Sequence, residues 1–212
     1  MKKAIITTLG IGVLLYLVGT LLYIASADAQ EYRPPNNFHE YIGVEGSGGV
    51  SGWVMKGAVP GFAKKPKYFD AKAAAKQLMY LHKKKGVKLI ISLDHCEDVH
   101  KVIKRINARN LDVDLLHICR KIRRGRTDRQ YDRNIGLFKE ISIYIGNVPF
   151  YIHCRYGAHR AVTALTGAWV AHSNLSFDEA FKRTGGKKRA FRSKGAKGLL
   201  NHAKRYSKDL IE

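Results

Sequence analysis

The stretch HCRYGAHR, His153 to Arg160, places a cysteine directly behind the apolar run PFYI and an arginine six residues later, where the chain begins to read as helix. A thiol attacks phosphorus well only as thiolate, and a free cysteine with a pKa of about 8.5 is mostly protonated at neutral pH. A strand-loop-helix turn changes that balance, because loop N–H groups and the positive end of the helix dipole both favour an anion at their centre. Gly157 allows a tight turn that brings backbone amides close to a ligand. Arg160 offers a fork of donors to two phosphate oxygens, and His153 is placed to fix the loop by hydrogen bonding. Cys154 is therefore a candidate nucleophile and Arg160 a candidate clamp. Arg155, Tyr156, Ala158 and His159 complete the candidate substrate-binding loop with His153 and Gly157.

The elements that must position this loop alternate along the chain. Trp53-Val54-Met55 reads as a short edge strand. From Asp70, a good N-cap, AKAAAKQLMYLHKKK is rich in helix formers, keeps Ala74, Leu78 and Leu81 on one face, and stops at Gly86. VKLIISL is a continuous apolar run, as expected of a strand buried on both faces. Glu97 to Arg109 is amphipathic through Val99, Val102, Ile103 and Ile106, and DVDLLHICRKI reads as the next strand. Residues 123–134 form a basic polar loop, Ile135 to Ile145 a helix, Pro149 to His153 a third buried strand and Ala161 to His172 an apolar helix. Ser176 to Glu179 is a capping-box start, and a basic helical segment spans Leu199 to Ile211. Strands alternating with helices predict an α/β fold, a mainly parallel central sheet with helices on both faces. Ligands in such folds sit at the carboxyl ends of strands, where HCRYGAHR lies.

At 212 residues and 45% hydrophobic composition the chain can build one ordinary domain, which the punctuation places at 53–212. Residues 30–52 carry two prolines and a Gly/Ser cluster and read as a linker. Residues 1–29 begin with Lys2-Lys3, run without charge from Ala4 to Ala25, and end in a small-residue stretch before Gln30. This segment is a signal peptide or an uncleaved N-terminal membrane anchor, since its apolar run approaches the ~20 residues that span a bilayer. Either form implies an exported, periplasmic or otherwise extracytoplasmic domain, because Lys2 and Lys3 hold the N-terminus inside. Cys96, Cys119 and Cys154 are an odd count for an oxidising compartment, so at least one is unpaired. Cys96 and Cys119 either pair or remain two separate thiols. No clustered Cys/His spacing suggests a metal site.

His153, Cys154, Gly157 and Arg160 match H-C-x-x-G-x-x-R, and the segment resembles the phosphate loop of the cysteine-dependent protein tyrosine and dual-specificity phosphatases. The similarity extends loosely over residues 53–190: WVMKGAVPG resembles the early strand and turn of the compact dual-specificity group, HKKKGVKLIISLDHCEDV its helix-Gly-strand segment, and SFDEAFKRTGG the helix after the loop in bacterial members. The resemblance implies a two-step reaction without metal or organic cofactor, in which Cys154 takes the phosphoryl group and water then hydrolyses the cysteinyl phosphate. Two positions depart from the pattern. The Ser or Thr that usually follows the arginine, and eases departure of the thiolate, is Ala161 here. The Asp usually found about thirty residues before the cysteine, which protonates the leaving oxygen, is replaced by Ile122-Arg123-Arg124. Asp128 is the best nearby candidate for that acid, because Asp132 is placed to cap a helix beginning near Arg133. If no acid serves, a phosphoanhydride with its better leaving group becomes the fitting substrate.

The formal net charge of +21, from 38 Lys and Arg against 17 Asp and Glu, points to an anionic partner. Arg120, Lys121, Arg123, Arg124, Arg126, Arg129 and Arg133 surround the candidate acid, which favours a phosphorylated polyanionic substrate: a phosphoprotein, a phosphoinositide or a lipid phosphate. A second basic cluster, Lys182 to Lys208, fits an anionic membrane surface or a solvated helix face. No nucleic-acid module is recognisable, and aromatics are not interleaved with the basic runs as stacking platforms. Beside the phosphatase reading stand an inert buried cysteine, a rhodanese-like sulfur carrier, a slow or inactive pseudophosphatase that binds phosphate at a membrane surface, and a polyanion-binding protein with a vestigial loop.

Overall fold

The computed structural model describes residues 34–35, 38–41, 54–61, 69–122 and 127–210. Among these residues five strands form one sheet in the order β1-β2-β5-β3-β4: β1 His39–Tyr41, β2 Val54–Ala58, β3 Leu89–Ser92, β4 Leu116–Cys119 and β5 Phe150–Cys154. β1 pairs antiparallel with β2, and every other pairing is parallel. The mainly parallel sheet expected from the alternation is present. β1 lies inside the stretch read as linker; its three residues gain backbone partners from the exposed edge of β2. The signal or anchor segment 1–29 falls outside the described residues, among which no helix is long and apolar enough to cross a membrane.

Among the described residues six α-helices accompany the sheet: α1 Ala71–Lys85, α2 Cys96–Arg109, α3 Asp128–Ser142, α4 Arg160–Ser173, α5 Phe177–Arg183 and α6 Lys194–Asp209. Strand alternation sorts them onto two faces. Met55, Ile90 and Tyr151 point to one face and pack with Leu78 and Leu81 of α1 and Val99 and Ile103 of α2. Val54, Leu89, Ile91, Phe150, Ile152 and Cys154 point to the other, against Phe138 and Ile141 of α3, Leu165 and Trp169 of α4, and Leu199 and Tyr206 of α6. Asp70 caps α1 by accepting from the amides of Lys72 and Ala73, and Gly86 ends it in the left-handed region. Ser176 and Glu179 close the expected capping box on α5.

Residues 128–134, part of the stretch 123–134 read as a basic polar loop, are helical. Thr127, accepting from the amide of Gln130, caps α3, so the helix begins at Asp128 rather than near Arg133. Tyr131, Asn134, Leu137, Phe138 and Ile141 form its buried face. The first two of these sit among arginines and acids in sequence, and packing against α6 overrides that local polarity: Tyr131 meets His202 edge-on and donates to Asp209, and Asn134 hydrogen-bonds His202 at 2.9 Å.

Candidate active site

β5 is the central strand, and its last residue, Cys154, stands 3% exposed where the chain leaves the sheet for α4. The turn closes by a hydrogen bond from the Gly157 amide to the Cys154 carbonyl, 3.2 Å. Gly157 has φ +67°, and a Cβ there would lie 2.3 Å from the carbonyl carbon of Gly57, so both its left-handed backbone and its contact with β2 demand glycine. His159 stands at the N-cap of α4, where its ring meets Phe191 edge-on and its Nε2 donates to the Ala190 carbonyl at 2.6 Å. This contact ties the loop to the 3-10 turn Lys188–Ala190. Tyr156 is 47% exposed with the Arg155 guanidinium over its ring, 5.6 Å from the centroid.

A pocket of about 270 Å³ opens over the cysteine, lined by Asp94, Cys154, Arg155, Tyr156, His159, Arg160, Ser193, Ala196 and Leu199. Arg160, the first residue of α4, reaches across to β3: its Nη1 donates to the Leu93 carbonyl at 3.3 Å and its Nη2 to the Asp94 carboxylate. A second pocket of about 420 Å³ shares Asp94 and Arg160 and continues past His95, Cys96 and Lys121. The two pockets therefore meet at one carboxylate–guanidinium pair. Ser193 caps α6 and Ala196 lies in its first turn, so the positive ends of α4 and α6 both approach the pocket over Cys154.

His153 is wholly buried on the opposite face of β5 from Cys154. Its Nε2 hydrogen-bonds Ser92 Oγ at 2.7 Å, and the same hydroxyl meets His117 Nε2 at 2.8 Å. Burial, with the neighbouring His117, His95 and Arg160, pushes His153 down to about 3. Burial and His100 push His117 down to about 4. The His153 imidazole is thus neutral and locks β5 to β3 and β4 through Ser92.

Cys96 and Cys119 form a disulfide between the start of α2 and the end of β4, leaving Cys154 as the free thiol. The register pairs Ser92 with Cys119, and Cys96 begins the helix one short turn beyond Ser92, which brings the two sulfurs together. The bridge borders the pocket that contains Asp94.

Asp128 sits in the first turn of α3, with its side chain 85% exposed, and accepts from Arg205 of α6 at 2.8 Å. It lines neither pocket at Arg160. Asp132 lies in the body of α3, exposed, and does not cap it. Ala161 is fully buried in the first turn of α4.

Two residues at the site carried no functional reading in the sequence. Asp94 follows β3 in a segment with several acids, LDHCED, and only the tertiary fold selects one of them. Lys56 stands in β2, 2% exposed, and its Nζ donates to the Gly157 carbonyl at 3.4 Å. Burial lowers it to about 8 against the attraction of Cys154, with Lys187 adding repulsion. A lysine inside the otherwise apolar strand V-M-K-G-A was the available signal.

No protein-family model matches the sequence, and no curated protein matches it. Among solved structures, a kinase-associated phosphatase carrying serine in place of its catalytic cysteine superposes with a TM-score of 0.55 at 16% identity, over 85% of this chain and 98% of that one. The chain has the fold of the cysteine-dependent tyrosine and dual-specificity phosphatases. Human DUSP28 is a weaker likeness at 14% identity and TM-score 0.47, over 85% of this chain and all of the other. The PTP-2 phosphatase of Cydia pomonella reaches 21% identity and TM-score 0.45 over 69% of this chain and 83% of that one. The α/β fold expected from the sequence is the phosphatase fold, and the H-C-x-x-G-x-x-R segment occupies its strand-loop-helix turn.

Proposed function

We propose that the protein is a phosphatase that hydrolyses phosphate monoesters through a cysteinyl phosphate. The observation that carries this reading is a free, recessed Cys154 at the floor of a pocket whose wall is the Arg160 guanidinium. The Cys154 sulfur attacks phosphorus in line, the P–O bond to the leaving group breaks, and Arg160 holds two of the remaining oxygens. In the second step water attacks phosphorus, the P–S bond breaks, and the electron pair returns to sulfur.

Asp94 fits the acid–base role better than Asp128, because it lines the pocket and Asp128 does not. An arriving phosphate dianion competes with the Asp94 carboxylate for Arg160 and releases it toward the leaving oxygen. A protonated Asp94 can then donate to the leaving oxygen. Residues 123–126, Arg-Arg-Gly-Arg, offer no alternative carboxylate. Together with Lys121, Arg155 and the basic run before α6, these arginines favour a phosphorylated polyanionic substrate, a phosphoprotein or a phosphorylated lipid headgroup. The exported or anchored location, with a membrane surface facing Lys182 to Lys208, rests on the sequence of 1–29 and on that charge.

The test is release of phosphate from an aryl phosphate by the full-length chain with Cys154 as free thiol and the Cys96–Cys119 disulfide intact, with acid-quench trapping of phosphocysteine. Activity lost in Cys154→Ser supports the enzyme, and phosphate binding with neither trapping nor turnover overturns it. Buried Ala161, which offers no hydroxyl to the sulfur, favours a second reading: a slow enzyme or pseudophosphatase. Trapping without turnover, relieved by Ala161→Ser, would select it.

A further inference from the structure

Lys56 raises a question that folding alone does not answer. An ammonium in a strand buried along its whole length costs desolvation free energy that an apolar side chain of similar length would not. Its hydrogen bond to the Gly157 carbonyl is long, 3.4 Å, and offsets only part of that cost.

The register shows what the charge faces. β2 and β5 run parallel with Lys56 opposite Ile152 and Ala58 opposite Cys154. Residues two apart on a strand share a face, so Lys56 projects to the same side as Val54, Ile152 and Cys154, beneath the loop that holds the nucleophile. Tyr151 and His153 project from β5 to the other side. The charged groups felt by Lys56 are Cys154 from the end of β5 and Lys187 from the segment preceding the 3-10 turn, the first attractive and the second repulsive.

We propose that Lys56 is a positioning residue that holds Cys154 as thiolate, for attack and again as leaving group, supplying by charge what Ala161 cannot supply by hydrogen bonding. The second half rests on the phosphatase reading above; the first does not. In hydrolysis of the cysteinyl phosphate, water forms the new P–O bond, the P–S bond breaks with its electron pair retained by sulfur, and the water proton passes to the Asp94 carboxylate. Negative charge grows on sulfur in that step, so a nearby ammonium stabilises the transition state more than the intermediate.

The test compares the full-length wild type with Lys56→Gln, Lys56→Met and Lys56→Arg, each checked for folding by circular dichroism. Gln keeps a donor for Gly157 without charge, and gives the decisive reading if Met fails to fold. The first measurement is the pH dependence of iodoacetamide alkylation of Cys154. Loss of charge should move its midpoint up by about one pH unit, a tenfold loss of reactivity at a fixed pH below it, with Arg restoring the wild-type curve. An unmoved midpoint in a folded neutral variant overturns the hold on the thiolate. The second is the decay of trapped phosphocysteine, expected to slow about tenfold in Lys56→Gln; an unchanged decay overturns the leaving-group role. A moved midpoint in a chain that neither traps nor releases phosphate removes the phosphatase reading and leaves the Lys56–Cys154 interaction standing.

Discussion

The Asp94 carboxylate accepts a hydrogen bond from Nη2 of Arg160, so the group that would clamp phosphate is already occupied by an anion of the protein. The pair joins the segment after β3 to the start of α4, and both of its residues line both pockets. Phosphate binding at Arg160 would therefore exchange one oxyanion for another.

Asp94→Asn should tighten binding of inorganic phosphate or vanadate about tenfold, since the competing charge is gone. The same variant should slow alkyl phosphates by about 10² or more while sparing esters with good leaving groups. Inhibition constants and a leaving-group series measure both effects. Asp128→Asn serves as the comparison and should leave the series flat; a slope change there instead would move the acid back to α3.

Gly157→Ala should cost roughly 2–4 kcal/mol, combining a left-handed φ with a Cβ forced onto the backbone of Gly57. Denaturant unfolding would show the loss as a lowered midpoint at constant slope. Gly86→Ala, also at positive φ but with open space around the added Cβ, should cost only about 1 kcal/mol. Equal losses at the two sites would argue against the β2 contact.

Acid should unfold the protein in a window set by the buried histidines. His153, held down to about 3, and His117, held down to about 4, stay neutral in the fold, whereas the unfolded chain protonates them near 6.5. Between those values the unfolded state binds more protons, so stability is full above about 6.5 and falls as pH drops, by about 1.4 kcal/mol per pH unit for His153. His117 acts in the same direction. His153→Gln should flatten the stability–pH curve between 6 and 4, which chemical denaturation at stepped pH would record; an unchanged slope rejects the assignment.

Reduction of the Cys96–Cys119 disulfide, which closes a separation of 23 residues, should cost roughly 3 kcal/mol. The bridge also anchors the segment that carries Asp94, so the double Cys96→Ser, Cys119→Ser variant should lose activity on alkyl phosphates before it loses folding. Thermal melts with and without reductant, paired with turnover, test both statements. Cys154→Ser removes reactivity of the free thiol in these measurements.

The sequence alone determined whatever depends on neighbours along the chain. Helix caps at Asp70, Gly86 and Ser176, the buried strands VKLIISL and PFYI, and the strand-loop-helix context of HCRYGAHR are local patterns, readable because propensity, capping and periodicity act over a few residues. Cys154 and Arg160 lie six positions apart, so their spacing was visible. Three features depended on contacts between distant segments. Which carboxylate faces Arg160 was decided by the side-by-side placement of β3 and β5, 61 residues apart at the Ser92–His153 bond, and not by distance from Cys154 along the chain. The early start of α3 was decided by burial of Tyr131 and Asn134 against α6. Lys56 reads in sequence as one more base among 38 Lys and Arg, and the parallel pairing of β2 with β5 turns it inward against the loop at Gly157. Charge counts record how many cations a chain carries; only the sheet register decides which one is taken out of water and faced with a sulfur.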